Sequence, residues 1–233
     1  LGSQIRTHYP RTLEHETAIV RQEKQRFAPT DGEPAVVLPP FMEEILAELT
    51  HLARRSPEIS QRSGVSVRVS VANMEVLEAA ALKRAVRLGE PLAAPRISDL
   101  GAVLASTAGK VELESVGDDT PEERVVERLV TKALFATFNR RVSVDRLDGV
   151  VEAFEDGLVV EIGDLVASRE YVHWMRETPG LRDAVVRLGT FDVTDGAEDP
   201  ALVASAVEFL LEGLHLQRRL NKDRGATGVI YRR

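Results

Sequence analysis

Hydrophobic side chains recur with the 3.6-residue period of an α-helix along most of the chain. Thr12 is followed by the acidic residues Glu14 and Glu16, which suit the first turn of a helix. This pattern predicts that a first helix starts at Thr12 and runs to Phe27. A second, regular stripe predicts the next helix; it consists of Phe41, Met42, Ile45, Leu46, Leu49, Leu52 and Ala53. Over residues 66–88 apolar side chains fall on nearly every face, which predicts a long helix buried among other helices.

The later segments carry clear helix boundaries. Thr120-Pro121 followed by Glu123 combines an N-cap, a helix-starting proline and a capping-box acid. We expect a short helix from Ser98 to about residue 106, another over 144–154, two over 171–188 divided by Pro179-Gly180, and a last long one from Asp199-Pro200. Strand signals are confined to residues 4–9 and 158–162. The pattern predicts a mainly all-α fold with at most short strands.

An acidic, polar break at residues 115–120 divides the chain into two predicted helical subdomains, 1–117 and 118–233. The net charge of −7 argues against wholesale wrapping of nucleic acid or of an anionic membrane. The absence of cysteine excludes a disulfide scaffold, a zinc ribbon and a thiol nucleophile, and it fits a reducing cytoplasm. No apolar run reaches the length of a membrane span. We therefore expect a cytoplasmic protein that binds neither nucleic acid nor membrane.

Familiar catalytic and metal motifs are incomplete in this chain. Gly109-Lys110 resembles the end of a phosphate loop, but Leu104 stands where the first glycine belongs, and Val111 replaces the magnesium-binding Ser or Thr. His15-Glu16 begins a zinc-protease pattern, but its last histidine is replaced by Ile19. The five histidines show no ligand spacing; they are His8, His15, His51, His173 and His215. We expect no catalytic residue and no metal ligand in this chain.

Three other features have more than one interpretation. The tail 217–233 is rich in Arg and Lys, and it is either a solvated terminus or a docking strip for an acidic partner protein. Tyr171 and Trp174 lie in a helical stretch and pack either in the core or in an interface. The acidic pairs Asp118-Asp119 and Glu122-Glu123 are either acid/base catalysts or magnesium ligands, or solvated charge at a linker and a helix start, and we expect solvated charge.

The most informative stretch is residues 62–68, which read R-S-G-V-S-V-R. Gly64 predicts a turn, and Arg68 follows at the start of the long helix. A cation at the positive end of a helix works against the helix dipole, so the pair invites an anion such as phosphate. The alternative interpretation is an ordinary exposed arginine.

The segments S-G-V-S-V-R-V-S-V-A-N (63–73), A-L-K-R-A-V-R-L-G-E (81–90) and P-R-I-S-D-L (95–100) resemble the helical lid of magnesium chelatase and MoxR-like AAA+ ATPases. The opening L-G-S-Q-I-R-T-H-Y-P resembles the end of the ATPase core of the same proteins, so the likeness covers about residues 1–110. It implies that 1–117 is the end of the core plus the lid, and that 118–233 is a helical extension. It also implies that Arg68 is the sensor-2 arginine, with Gly64 and Ser66 as its nucleotide-binding neighbours.

The resemblance further implies that ATP and Mg²⁺ are bound by a P-loop module absent from these residues, so that this chain alone is inactive. The whole protein would form a ring and act on a partner. One hypothesis is metal insertion into a tetrapyrrole with chelatase partner subunits, and a second is a MoxR-like chaperone with a von Willebrand A-type partner. A third, from another class, is a non-enzymatic helical scaffold in which Arg68 has no special role.

Overall fold

The computed structural model describes residues 3, 5–25, 32–60, 62–114, 121–189, 198–226 and 228–233. Of these residues, 61% are helical, and the strands are few and short, which confirms the predicted all-α fold. The α-helices of this part are α1 (Leu13–Glu23), α2 (Pro40–Arg55), α3 (Val67–Leu88), α4 (Gly101–Ala108), α5 (Glu122–Arg141), α6 (Asp148–Glu155), α7 (Ser168–Glu177), α8 (Leu181–Arg187) and α9 (Pro200–Leu216). The 3₁₀ helices Ile97–Leu100 and Val144–Leu147 lead into α4 and α6.

The predicted caps start α1 and α9. The Thr12 hydroxyl accepts the His15 amide at 3.2 Å, and Asp199 Oδ1 accepts the Ala201 amide at 2.8 Å. α5 begins at Glu122, directly after Pro121. The predicted N-cap Thr120 and the pair Asp118-Asp119 lie outside the described residues, as does Phe27 at the predicted end of α1.

The prediction that α3 is buried on nearly every face is wrong. Its buried side follows one helical stripe, and Val86 is 60% exposed. The buried stripe includes the polar side chains of Asn73, Glu78 and Arg84, each with a partner: Asn73 bonds Thr107, Glu78 bonds Lys24, and Arg84 bonds Asp99. The helix ends at Gly89, whose φ of 66° lies in the left-handed region that glycine adopts without strain.

The strands form two small sheets. β1 (Ala35–Val36) pairs in parallel with β2 (Leu92–Ala93) and joins the chain before α2 to the chain after α3. β3 (Val160–Ile162), β4 (Asn221–Arg224) and β5 (Val229–Arg232) form an antiparallel sheet in the order β3-β5-β4. The strand expected at residues 158–162 is therefore present as β3. Residues 5–9 form no strand, and the basic tail is folded into the β4–β5 hairpin.

One apolar core extends across both halves of the chain. α2 lies against α5, and α9 lies against both α5 and α7. At the centre the Phe209 ring stacks on Phe41 at 4.4 Å and meets Phe138 edge-on at 5.7 Å between ring centroids. The division at residue 118 remains a prediction.

Within the described ranges no helix is both long enough and apolar enough to cross a bilayer. The two longest, α3 with 22 residues and α5 with 20, each carry several charged side chains.

Candidate functional site

The predicted turn and helix start are present at residues 62–68. Gly64 has a φ of 67°, which a residue with a side chain adopts only at a cost. Ser66 precedes α3 as its N-cap, and its hydroxyl accepts the Arg68 amide at 3.2 Å. The structure therefore brings Gly64, Ser66 and Arg68 together in one turn at the exposed end of α3.

The Arg68 side chain is exposed, and it forms no hydrogen bond or ion pair with any other described residue. The first turn of α3 contains no acidic side chain, so nothing in it offsets the positive end of the helix. A free guanidinium with several donors in a fixed plane suits an anion with two or more oxygens. The chemical capacity of this site is thus to bind a phosphate or carboxylate group.

One acidic side chain, Glu112 of the segment after α4, contacts the loop that leads into α3. Ser63 donates its hydroxyl to the Glu112 carboxylate, and the Ser60 amide donates to the Glu112 carbonyl oxygen at 2.8 Å. These bonds fasten the loop between α2 and α3 to the segment after α4. The Glu112 carboxylate already accepts the Ser63 hydroxyl. Arg62, on the same loop as Ser63, is exposed and has no partner among the described residues.

Beneath the turn lies a buried ion pair that the sequence did not indicate. Glu16 of α1 is completely buried, and Arg54 of α2 donates hydrogen bonds to both of its carboxylate oxygens, at 2.8 and 3.0 Å. Arg54 also donates from Nε to the Val65 carbonyl oxygen at 2.9 Å. Ser70 of α3 donates its hydroxyl to Glu16 at 2.6 Å. One carboxylate thus joins the first three helices.

His51 borders this pair. Its Nε2 lies 3.6 Å from a Glu16 oxygen, beyond hydrogen-bond distance, and has no hydrogen-bond partner in the described part of the molecule. Burial lowers the pKa of His51, and the charges of Arg54 and Arg55 act in the same direction, while Glu16 opposes them. Folding therefore favours the neutral form of this imidazole.

A second buried polar cluster joins the two halves of the chain. Arg96 is fully buried; it donates to the Val166 carbonyl oxygen at 2.8 Å and to the Ser168 hydroxyl at 2.6 Å. Its guanidinium lies 4.7 Å from the centre of the Tyr171 ring. Tyr171 in turn donates to Glu208 of α9 at 2.6 Å.

Glu208 also accepts the Ser98 amide, at 2.8 Å. Burial raises the pKa of the Glu208 carboxyl, while Arg96 and the hydrogen bonds from Tyr171 and Ser98 oppose the shift. Every close partner of this carboxyl is part of the packing between the halves, so we assign the cluster a structural role. Tyr171 is accordingly a core residue, as one of its two interpretations predicted, and Trp174 packs edge-on against it at 4.9 Å.

The incomplete motifs have ordinary structural roles. Lys110 donates to the Ser106 carbonyl oxygen at 3.0 Å, and Gly109 ends α4. Glu16 is occupied by Arg54, and the neighbouring His15 is exposed. Across the described ranges, no group of three or more His, Asp or Glu side chains is arranged to hold a metal ion.

The basic tail is largely paired within the molecule. Arg219 bonds Asp148 at 2.9 Å, Arg232 bonds Asp223 at 2.7 Å, and Lys222 bonds Glu212 at 2.8 Å. Such internal pairs leave less free positive charge for an acidic partner than the sequence suggests.

Comparison with protein-family models, with curated proteins and with solved structures found no match. Two cavities elsewhere do not bear on the turn at residues 62–68. One of about 240 Å³ lies between the end of α3 and the starts of α7 and α9, and one of about 390 Å³ lies beside Trp174.

Proposed function

We propose that Arg68 is a phosphate-sensing arginine, and that residues 1–117 serve as the lid of an AAA+ ATPase of the magnesium chelatase and MoxR-like type. The observation that carries the proposal is the free guanidinium of Arg68 at the start of α3, where no acidic side chain in the first turn neutralises it. The order of the segments 63–73, 81–90 and 95–100 along the chain supports the same assignment.

The donor set fits one phosphate group but not a whole nucleotide. Arg68 can donate to two phosphate oxygens, and Ser66, already bonded to the Arg68 amide, keeps the turn in shape. Among the described residues, no three or more His, Asp or Glu side chains are grouped so as to hold a metal ion. We expect ATP and Mg²⁺ to be held mainly by a separate P-loop module, in the same subunit or in its neighbour in a ring, and ATP to supply the phosphoryl group that is transferred to water.

The role of Arg68 in such an assembly follows from its charge. A guanidinium next to the transferred phosphoryl group stabilises negative charge that develops in the transition state. Because Arg68 is part of α3, contact with phosphate also fixes the position of that helix. Hydrolysis would thereby be coupled to movement of the lid.

We propose that the work of this motor is to remodel a protein complex or to assist metal insertion. Its partner would be a von Willebrand A-type or chelatase-type subunit, and its place the cytoplasm, where ATP is available. A neighbouring gene for a metal-dependent adhesion domain would favour remodelling of a protein complex. Neighbouring genes for tetrapyrrole synthesis would favour metal insertion.

The test is ATP turnover by the full-length protein. Arg68→Ala should lower turnover about 100-fold, the order found when one transition-state donor is removed, and should leave ring assembly by size-exclusion chromatography unchanged. Arg62→Ala is the matched control, since Arg62 is exposed on the same loop. Equal turnover in Arg68→Ala and the parent would refute the assignment. Failure of the full protein to bind ATP would leave the helical scaffold as the explanation.

A further inference from the structure

The turn that carries Arg68 is attached to the rest of the molecule at a point just before it. The Val65 carbonyl oxygen accepts Arg54 Nε at 2.9 Å, and Val65 itself is buried. Arg54 cannot shift freely, because its two terminal nitrogens bond the Glu16 carboxylate at 2.8 and 3.0 Å. The backbone is therefore fixed three residues before Arg68.

A second attachment lies just after Arg68 and uses the same carboxylate. Ser70 donates its hydroxyl to Glu16 Oε1 at 2.6 Å, and both side chains are buried. Val65 and Ser70 thus lie on either side of Arg68, and both are held by the Arg54–Glu16 pair. The first turn of α3 cannot rotate or slide without breaking one of these bonds.

Tyr9 closes the arrangement from outside. Its ring lies 4.7 Å from the Arg54 guanidinium, and its hydroxyl lies so near Gly64 that a Cβ there would be 2.3 Å away. Glycine is favoured at residue 64 by its φ of 67°, and a side chain there would in addition have to displace the Tyr9 hydroxyl. Tyr9, Arg54 and Gly64 form one packed unit beneath the exposed end of the turn.

The arrangement uses features that only arginine provides. Arg54 bonds a carbonyl oxygen through Nε and a carboxylate through its two terminal nitrogens, which a lysine ammonium cannot reproduce. The Arg54 side chain is 10% exposed and Glu16 is fully buried, so the pair is shielded from water and salt. Both Glu16 carboxylate oxygens are bonded to Arg54, so Glu16 does not neutralise Arg68.

We infer that Arg54, held by Glu16, is a positioning residue for Arg68, and that it fixes the direction in which the Arg68 guanidinium meets a phosphate. The inference rests on the proposed phosphate-sensing role of Arg68. Arg54 contacts no ligand itself; it acts through the Val65 carbonyl, while Glu16 acts through Ser70. Loss of the Arg54 bonds to the Val65 carbonyl and the Glu16 carboxylate should therefore weaken phosphate binding at Arg68 even when the fold is intact.

The test is a pyrophosphate titration of the chain, followed through the backbone amide resonances of residues 66–70. Arg54→Lys keeps the positive charge but cannot bond Val65 and both Glu16 oxygens at once. It should raise the pyrophosphate dissociation constant three- to tenfold. In Arg68→Ala the site should be lost, and adding Arg54→Lys to that variant should change nothing further. Such non-additivity is expected when one residue acts through another.

A stability control separates positioning from general weakening of the fold. Gly213→Ala lies in α9 and is expected to lower stability without touching the turn, so pyrophosphate should bind it as it binds the parent. If Arg54→Lys binds as tightly as the parent while Arg68→Ala does not bind, the inference is overturned and the phosphate-sensing proposal stands. If Arg68→Ala binds like the parent, or the parent does not bind, both are overturned.

Discussion

Gly213 of α9 lies directly against the ring of Phe138 of α5. A Cβ at Gly213 would be 2.0 Å from Phe138 Cδ2, far inside van der Waals contact, and Phe138 is fully buried. We expect Gly213→Ala to lower the free energy of unfolding by about 1–3 kcal/mol through overpacking, although alanine favours helix by about 1 kcal/mol. Chemical denaturation would measure the difference.

Gly101 at the start of α4 is the matched control for that substitution. It has a φ of −55°, and a Cβ there would meet no atom within 4 Å. Gly101→Ala should be neutral or stabilise the protein by up to about 1 kcal/mol. Equal losses at both glycines would mean that the close approach of α5 and α9 does not limit residue 213.

The ion pair between Arg84 and Asp99 is a deeply buried attachment between α3 and the 3₁₀ helix after it. Arg84 bonds both Asp99 oxygens, at 3.2 and 2.8 Å, and also the Ala94 carbonyl oxygen at 2.7 Å. Burial by itself would lower the pKa of Arg84, but the hydrogen bonds and charge of Asp99 outweigh it and raise that pKa. We expect Asp99→Asn to cost about 3 kcal/mol of unfolding free energy, because it leaves a buried cation with too little compensation.

An exposed pair provides the comparison. Arg128 and Glu58 form an ion pair in which both side chains are more than 40% exposed. Glu58→Gln should change the free energy of unfolding by less than about 1 kcal/mol. Urea denaturation of both variants at one pH measures the contrast, and similar losses would argue against burial as the cause.

The helices were predictable because their signals are local. The caps at Thr12 and Asp199 and the glycine at 89 mark helix ends within a few residues, and the α2 stripe repeats over four turns. β1 and β2 are two residues long, so they show no alternation, and their parallel pairing joins residues 57 apart. The β4–β5 hairpin was not predicted because β4 is exposed throughout and has no apolar face.

The turn of the candidate site was predictable from the sequence, but the buried Arg54–Glu16 ion pair beneath it was not. Gly64 has the turn conformation that the sequence suggested, and Ser66, where the long helix was expected to begin, precedes that helix as its N-cap. Glu16 was interpreted as an acid favoured by the dipole of α1, which fits a solvated carboxylate. Its partner Arg54 is 38 residues away, and nothing local distinguishes it from the neighbouring Arg55. The role of Arg68 in sensing a nucleotide stays a prediction.

His51 should make stability depend on pH in the weakly acidic range. Its pKa in the folded state is lowered by burial, whereas in the unfolded chain it is about 6.5. The unfolded state therefore binds more protons between these two values, so stability is complete above about pH 6.5 and falls as the pH drops towards the folded pKa. The slope is at most about 1.4 kcal/mol per pH unit for one proton.

His51→Gln removes this titration, so the difference in unfolding free energy between the parent and the variant should shrink or reverse as the pH falls from 7.5 to 5.5. His15→Gln, at an exposed histidine on α1, should keep the pH dependence of the parent. A parent and a His51→Gln variant with parallel pH profiles would show that the His51 pKa is not lowered by folding.

Finally, the 233-residue chain should not hydrolyse ATP by itself. Phosphoryl transfer needs a backbone cradle and a lysine for the phosphates, together with acidic ligands for magnesium. Lys110, the lysine of the segment that resembles a phosphate loop, is bonded to the Ser106 carbonyl oxygen. Val111, the next residue, is buried and has no hydroxyl that could bind magnesium. Phosphate release from Mg-ATP should therefore equal that of buffer. Robust release that disappears in Lys110→Ala would contradict this expectation and would identify residues 104–111 as a phosphate loop.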